Sequence, residues 1–151
     1  MIFPTSVTHA LRAVAFLATR GLDEPVQGQA LARKVKVPAP YLAKVLAQLA
    51  RGGVVSASRG VKGGYRLARP ARDIRLIDVV EPLEGRWTRP GCLLRPGRPC
   101  REGGPCAAHD SWTDVKVAYL AFLERTTVED IKGGASGSGG LRRNVPARRG
   151  R

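Results

Sequence analysis

Between residues 38 and 67 the apolar pattern changes period across a pair of glycines, and this change constrains the fold more than any other feature. Up to Arg51 the pattern is helical. Leu42, Val45, Leu46 and Leu49 fall on one face of a helix expected from about Pro38 to Arg51. Proline is tolerated in its first turn, where amide donors have no helical partner. Gly52-Gly53 is a strong C-terminal stop. After it Val54 to Ser58 reads as a strand, Arg59 to Gly64 as a glycine-rich loop and Tyr65 to Leu67 as the returning strand, which together make a β-hairpin.

The flanking segments are helical. Thr5 to Arg20 carries Ala10, Val14, Leu17 and Ala18 at helical spacing and stops at Gly21. Gln27 to Val35 is a short second helix with Ala30 and Leu31 inward, and Val35 to Pro38 makes the turn into the third. A fourth helix is expected over Leu76 to Leu83, with Pro82 ending or distorting it. A long one follows from about Ser111 to Arg125. There Trp112, Val115, Tyr119 and Phe122 alternate spacings of three and four, as in a heptad seam. Thr126 to Glu129 has the form of a capping box opening a brief last helix. Aromatic residues are 5% of the chain, so Leu, Val and Ala must fill most of the core. The expected fold class is mainly α with a small β-hairpin wing: a winged helix-turn-helix plus a long C-terminal dimerisation helix.

Charge narrows the partner. The formal net charge is +14, which favours a polyanion, nucleic acid before an acidic membrane surface. Between Arg33 and Arg75 there are eleven Lys or Arg and one acid, Asp73. That run spans the second helix, the third helix and the hairpin, the two parts that duplex reading needs: a rigid element for the major groove and a cationic field for phosphates. Ala39, Tyr41, Lys44 and Gln48 on the third helix are the candidates for the major groove. Lys44 suits guanine, Gln48 adenine, and Tyr41 a phosphate or a thymine methyl. Arg59 and Lys62 at the hairpin tip suit a phosphate or a narrow minor groove. The competing reading is a merely solvated basic face.

The second constellation is Cys92-x7-Cys100-x5-Cys106-x2-His109, the only cysteines of the chain beside one of its two histidines. Thiolates are ligands for iron–sulfur clusters and for soft or borderline metals, and one imidazole completes a set of four donors. Interleaved glycines and prolines let the backbone wrap closely around a bound object. Zinc competes with a cluster, although structural zinc sites usually place two ligands two to four residues apart. Three unliganded thiols are the third reading, with His109 an ordinary helix-start residue. His9, on the first helix, is a minor alternative donor, brought near by a partner subunit.

The chain resembles the bacterial iron–sulfur winged-helix regulators of the IscR/NsrR type over about residues 1 to 132. The matching stretches are His9-Ala10-Leu11-Arg12, Pro40-Tyr41-Leu42, Ser58 to Tyr65, Val79 to Gly85, and the three-cysteine loop ending Cys106-Ala107-Ala108-His109. The resemblance implies a homodimer joined through the long helix, and a cluster held by three cysteines and a variable fourth ligand. In IscR-like members that ligand is a histidine just after the third cysteine, which falls on His109. In NsrR-like members it is an aspartate on helix one of the other subunit, where this chain has Thr8, a poor ligand. The seven-residue cysteine gap, Pro82 and the Arg-Gly tail are further departures.

The expectation is therefore a homodimeric DNA-binding transcriptional regulator, a repressor. Its grip on a roughly palindromic duplex operator is gated by a two-iron or four-iron cluster sensing nitric oxide, redox stress or iron status. The alternative is a zinc-stabilised or cluster-free winged-helix regulator. Without a nucleotide-binding glycine fingerprint or a general-base pair, the chain reads as no enzyme. Residues 1–84 form the DNA-binding domain, 85–110 the cysteine-rich cluster-binding loop, 111–132 the dimerisation helix and short end helix, and 133–151 a disordered basic tail with six Gly, five basic residues and no acid. With no apolar run long enough for a bilayer and no basic region ahead of an apolar N-terminal stretch, a cytoplasmic location and no membrane partner are expected.

Overall fold

Leu42, Val45, Leu46 and Leu49 are all buried, and they set helix α3 (Ala39–Arg51) at the centre of the molecule. In this computed structural model the described residues are 3–85, 92 and 106–133. Cys100 and the Gly/Arg tail lie outside them. Helix α1 (Thr5–Leu17) packs on α3 through Ala10, Ala13, Val14 and Leu17. Helix α2 (Gly28–Val35) closes the other flank with Leu31, Ala32 and Val35. Strands β1 (Val55–Ser58) and β2 (Gly64–Leu67) pair antiparallel, Val55 opposite Leu67 and Ser58 opposite Gly64. Val26 adds a bridge to Tyr65 and so ties the chain before α2 to the hairpin. After a single 3₁₀ turn at Ala71–Asp73 come α4 (Leu76–Glu84) and α5 (His109–Arg125).

Several features differ from expectation, and α5 opens two residues early, at His109 rather than Ser111. The first helix ends at Leu17 rather than Arg20. Residues 19 and 20 tighten into i→i−3 bonds, Thr19 N–H to the Phe16 carbonyl and Arg20 N–H to that of Leu17, while the Thr19 hydroxyl donates to Phe16 O at 2.7 Å. A side-chain hydroxyl competing for a helical carbonyl, just before a glycine, unwinds the last turn. Pro82 does not end α4, which continues to Glu84. The missing amide costs one bond in a last turn, and the ring packs against Gly52, where a Cβ would overlap it. The brief last helix is absent. Residues 128–133 are turns, and Thr127 instead makes a bridge to Arg75. The cap-like contact is shifted by one residue from the expected box. The Asp130 carboxylate accepts from the Thr127 N–H at 2.8 Å and from its hydroxyl at 2.7 Å. These donations, the backbone one first, hold the Asp130 carboxyl below its usual range.

A second apolar cluster of Val7, Leu76, Val80 and Leu123 joins the start of α1, α4 and the end of α5. The chain leaving α5 runs beside the entry to α4: Leu76 N–H donates to Thr126 O at 2.9 Å, and Val128 N–H to Ile74 O at 2.8 Å. Val128 itself is buried in the main core. With Glu129 N–H also donating to Ala71 O at 3.3 Å, the C-terminal end of α5 is pinned at three backbone bonds and two buried side chains, Leu123 and Val128.

Candidate nucleic-acid interface and the cysteine-bearing segment

With Leu42, Val45, Leu46 and Leu49 turned inward, helical geometry leaves Pro40, Ala43, Lys44, Ala47 and Arg51 outward, and all five are exposed. Lys44 stands in the middle of this face. The small Ala43 and Ala47 beside it leave the helix surface low around Lys44. The turn before α3 is made by Lys36 in the left-handed region (φ 54), so α2 ends there and Arg33, Lys34 and Lys36 remain exposed at its close. Gln29, Ala32, Arg33, Lys36, Val37, Pro38 and Ala39 line an open groove between the two helices.

The six residues expected to read DNA are not equivalent. Lys44, Arg59 and Lys62 are exposed, and none is held in an ion pair among the described residues. Ala39 is half-buried beside the groove at the start of α3. Tyr41 is exposed but meets the His9 ring edge-on, 5.5 Å between centroids. His9 lies on α1, so this contact fixes Tyr41 between two helices. The Nδ1 atom of His9 is buried there without a hydrogen-bond partner. Gln48 is half-buried and lines a second groove, on the α4 side, with Arg51, Gly52, Arg69, Asp78, Glu81 and Pro82. Arg69 closes that side by an ion pair to Asp78 Oδ2 at 2.7 Å, an oxygen that also accepts from the Arg75 N–H at 3.0 Å.

The wing is built by close approach. A Cβ at Gly64 would overlap the Val26 backbone, and one at Gly63 would overlap Ser58 and Arg59. Gly63 N–H closes a turn onto Gly60 O at 2.9 Å. Gln27 reaches across from the start of α2, its Nε2 donating to the Val61 carbonyl at 3.5 Å. Sequence reasoning missed Gln27 and Arg51. For Arg51 the signal was present, since it repeats Lys44 at a spacing of seven on the same face. For Gln27 there was none, because its partner is 34 residues away.

The cysteine-bearing segment is described in part. Cys92 is half-buried; Cys106 is exposed and leads straight into α5, its carbonyl accepting from the His109 N–H at 2.9 Å. His109, half-buried, opens the helix one turn from the Cys106 thiol. A thiol and an imidazole at this spacing are donors of the right chemistry for a soft metal centre. Among the described residues no three His, Cys, Asp or Glu side chains come together as a metal site.

Helix α5 divides along its length. Tyr119 packs on Phe3 with centroids 5.7 Å apart, and Leu123 is fully buried. Burial, with Glu84 nearby, pushes the Tyr119 phenol up, so it stays neutral. Of the proposed seam, Trp112 is half-buried with Lys116 over its ring, whereas Val115 and Phe122 are 56% and 48% exposed. No described helix is long and apolar enough to cross a membrane.

The Rrf2 family model, described as an iron-dependent transcriptional regulator, matches residues 3–133. The HTH-type transcriptional repressor NsrR of Streptomyces coelicolor is 33% identical over 129 residues, covering 85% of this chain and 86% of that protein. Two solved structures share the fold at 24% identity. The global cysteine regulator CymR of B. subtilis superposes with a TM-score of 0.74 over 91% of this chain and 98% of its own. T. potens IscR does so with 0.71 over 92% of each.

Proposed function

The chain belongs to the Rrf2 family of transcriptional regulators, DNA-binding proteins rather than enzymes, and on that premise we propose that it is a homodimeric repressor whose operator binding is gated by an iron–sulfur cluster. The observation that carries the DNA half is the exposed cationic face formed by Lys44, Arg51, Arg59 and Lys62 on one helix and its wing. In this reading α3 enters the major groove with Lys44 donating to guanine O6 or N7. Tyr41 and Ala39 border the groove, Gln48 reaches an adenine from the flank, Lys62 meets a phosphate, and Arg59 enters a narrow minor groove. Two copies joined along α5, through the exposed Val115 and Phe122, would present two reading heads to a roughly palindromic site.

The family's iron dependence and the donor set support the gating half. Cys92, Cys100, Cys106 and His109 would hold the cluster, with His9 of a partner as the minor alternative to His109. When bound, it supplies a redox- and nitric-oxide-sensitive centre. This chain's part is to join the donors to the reading head, since α5 begins at His109 and ends pinned to the start of α4. A zinc-stabilised or cluster-free regulator is the second reading. It is supported by the donor chemistry, since thiolates and an imidazole also suit zinc. The test is anaerobic purification with visible absorption and iron, sulfide and zinc analysis. Iron and sulfide with a visible chromophore, lost in Cys92→Ala, is the expected result. A colourless protein with one zinc and no sulfide after anaerobic reconstitution selects the second reading. The protein acts in the cytoplasm in either case.

A further inference from the structure

Val61, at the tip of the wing, is 94% exposed, far beyond any other large apolar residue described. We propose that Val61 is an apolar minor-groove contact that makes binding depend on base pairs lacking guanine's exocyclic amino group. The inference rests on the DNA-reading role above and assigns that role a specificity element on the wing.

Exposure alone would say little, but the backbone beneath Val61 is held on three sides. The Gly63 N–H to Gly60 O bond closes the turn, Gly60 takes φ 101, and Gln27 donates to the carbonyl of Val61 itself. The side chain therefore points outward from an anchored loop. Valine is also stiff about χ1, so little rotamer freedom is lost on contact. Its neighbours Arg59 and Lys62 are both exposed cations, Lys62 placed to meet a phosphate that walls the groove and Arg59 to enter the same groove beside Val61.

Groove dimensions select the occupant. The minor groove is about 6 Å wide, too narrow for a helix or ribbon but open to the tip of a hairpin. Its floor carries only acceptors at A·T pairs, and G·C adds a protruding amino donor. A branched apolar side chain fills the first floor. Over the second it meets the amino group sterically and strips it of water without offering an acceptor. Apolar side chains at the minor groove are a general device of DNA-binding proteins. A second copy of this chain is a poor occupant, because Arg59 and Lys62 would face a molecule of net charge +14.

The test begins with the full chain, as isolated and after anaerobic iron–sulfide reconstitution, selecting from a library of random 40-base-pair duplexes. The enriched duplex is then titrated against wild type, Val61→Ala and the isosteric Val61→Thr. Each is also titrated against the same duplex with 2,6-diaminopurine, which adds the minor-groove amino group, in place of adenine at the flanking A·T positions. Loss of a buried valine contact predicts about tenfold weaker binding for Val61→Ala on the unmodified duplex. The diaminopurine duplex is expected to weaken wild type about tenfold and Val61→Ala less than threefold, the non-additivity that marks direct contact. Both variants should melt as wild type does. Equal penalties from diaminopurine in wild type and Val61→Ala overturn the inference while leaving DNA reading intact. If neither form of the wild-type chain enriches any sequence, the DNA-reading role falls and the Val61 contact falls with it.

Discussion

The reading head and α5 are built on opposite terms. In α1, α2 and α3 the only large apolar side chain left more than a third exposed is Tyr41, and even that is braced by His9. In α5 only Leu123 is buried, while Val115, Val117 and Phe122 stand 56%, 60% and 48% exposed. The head closes its own core, because three helices and a hairpin meet around α3. The long helix closes only its last turns and leaves Val115 and Phe122 outward on one face, with Val117 exposed on another. Apolar side chains spaced along one helix belong against another surface, and the proposed dimer would supply a second α5.

The sharpest way to break this contrast is to attack each side in turn. Leu46→Ala, at a fully buried position of α3, is expected to cost about 3 kcal/mol in urea unfolding and to remove DNA binding with it. A loss under 1 kcal/mol would mean that the head does not carry its own stability. The double change Val115→Glu, Phe122→Glu should leave the urea midpoint of the head nearly unmoved and turn a dimer into a monomer in sedimentation equilibrium. A dimer that survives would place the subunit contact elsewhere. Lys44→Ala with Arg59→Ala should weaken duplex binding by about ten- to a hundredfold and relax its base preference, with no change in assembly. Normal binding by that variant would remove α3 and the wing from the interface.

Two smaller effects concern the joints. Asp78→Ala strips both the Arg69 pair and the acceptor for the Arg75 N–H. Because the pair is partly solvent-exposed, about 1 kcal/mol of stability is expected to go. The weakest effect is pH-dependent. The Asp130 carboxyl is held below its unfolded value near 3.8 by the Thr127 donors. Its contribution is therefore present above that value and fades as the pH falls through the lower, folded one. Acid titration of stability should be slightly shallower in Asp130→Asn; identical curves would deny the contact any role.

These joints are also where the sequence was least informative. The inward face of α3 was legible because Leu42, Val45, Leu46 and Leu49 keep one period and Gly52 ends it, a purely local pattern. The wing was legible for the same reason. By contrast, Pro82 looked like a helix breaker because the glycine that receives its ring is 30 residues earlier. Thr126 looked like a cap because nothing local reveals that the next residue, Thr127, bridges to Arg75. Gln48 reads as outward on a helical wheel, and only the arrival of α4 puts it beside Asp78 and Glu81. The site was legible by residue type, in its cations, thiols and imidazole, while their relative standing depended on contacts distant in sequence.

The pinning of α5 at residues 126 and 128 has a mechanical consequence. Seventeen residues of helix are about 25 Å long, so α5 is a rod hinged at one end. A tilt of about 5° about the hinge sweeps the other end, three residues past Cys106, through about 2 Å. The hinge bears on Ile74, just before α4, and on Leu76, its first residue, and α4 sets Pro82 against Gly52 at the heel of α3. Under the proposed gating, motion at the far tip would be geared down, travel at the thiol becoming a smaller rotation at the base of the helix that carries Lys44.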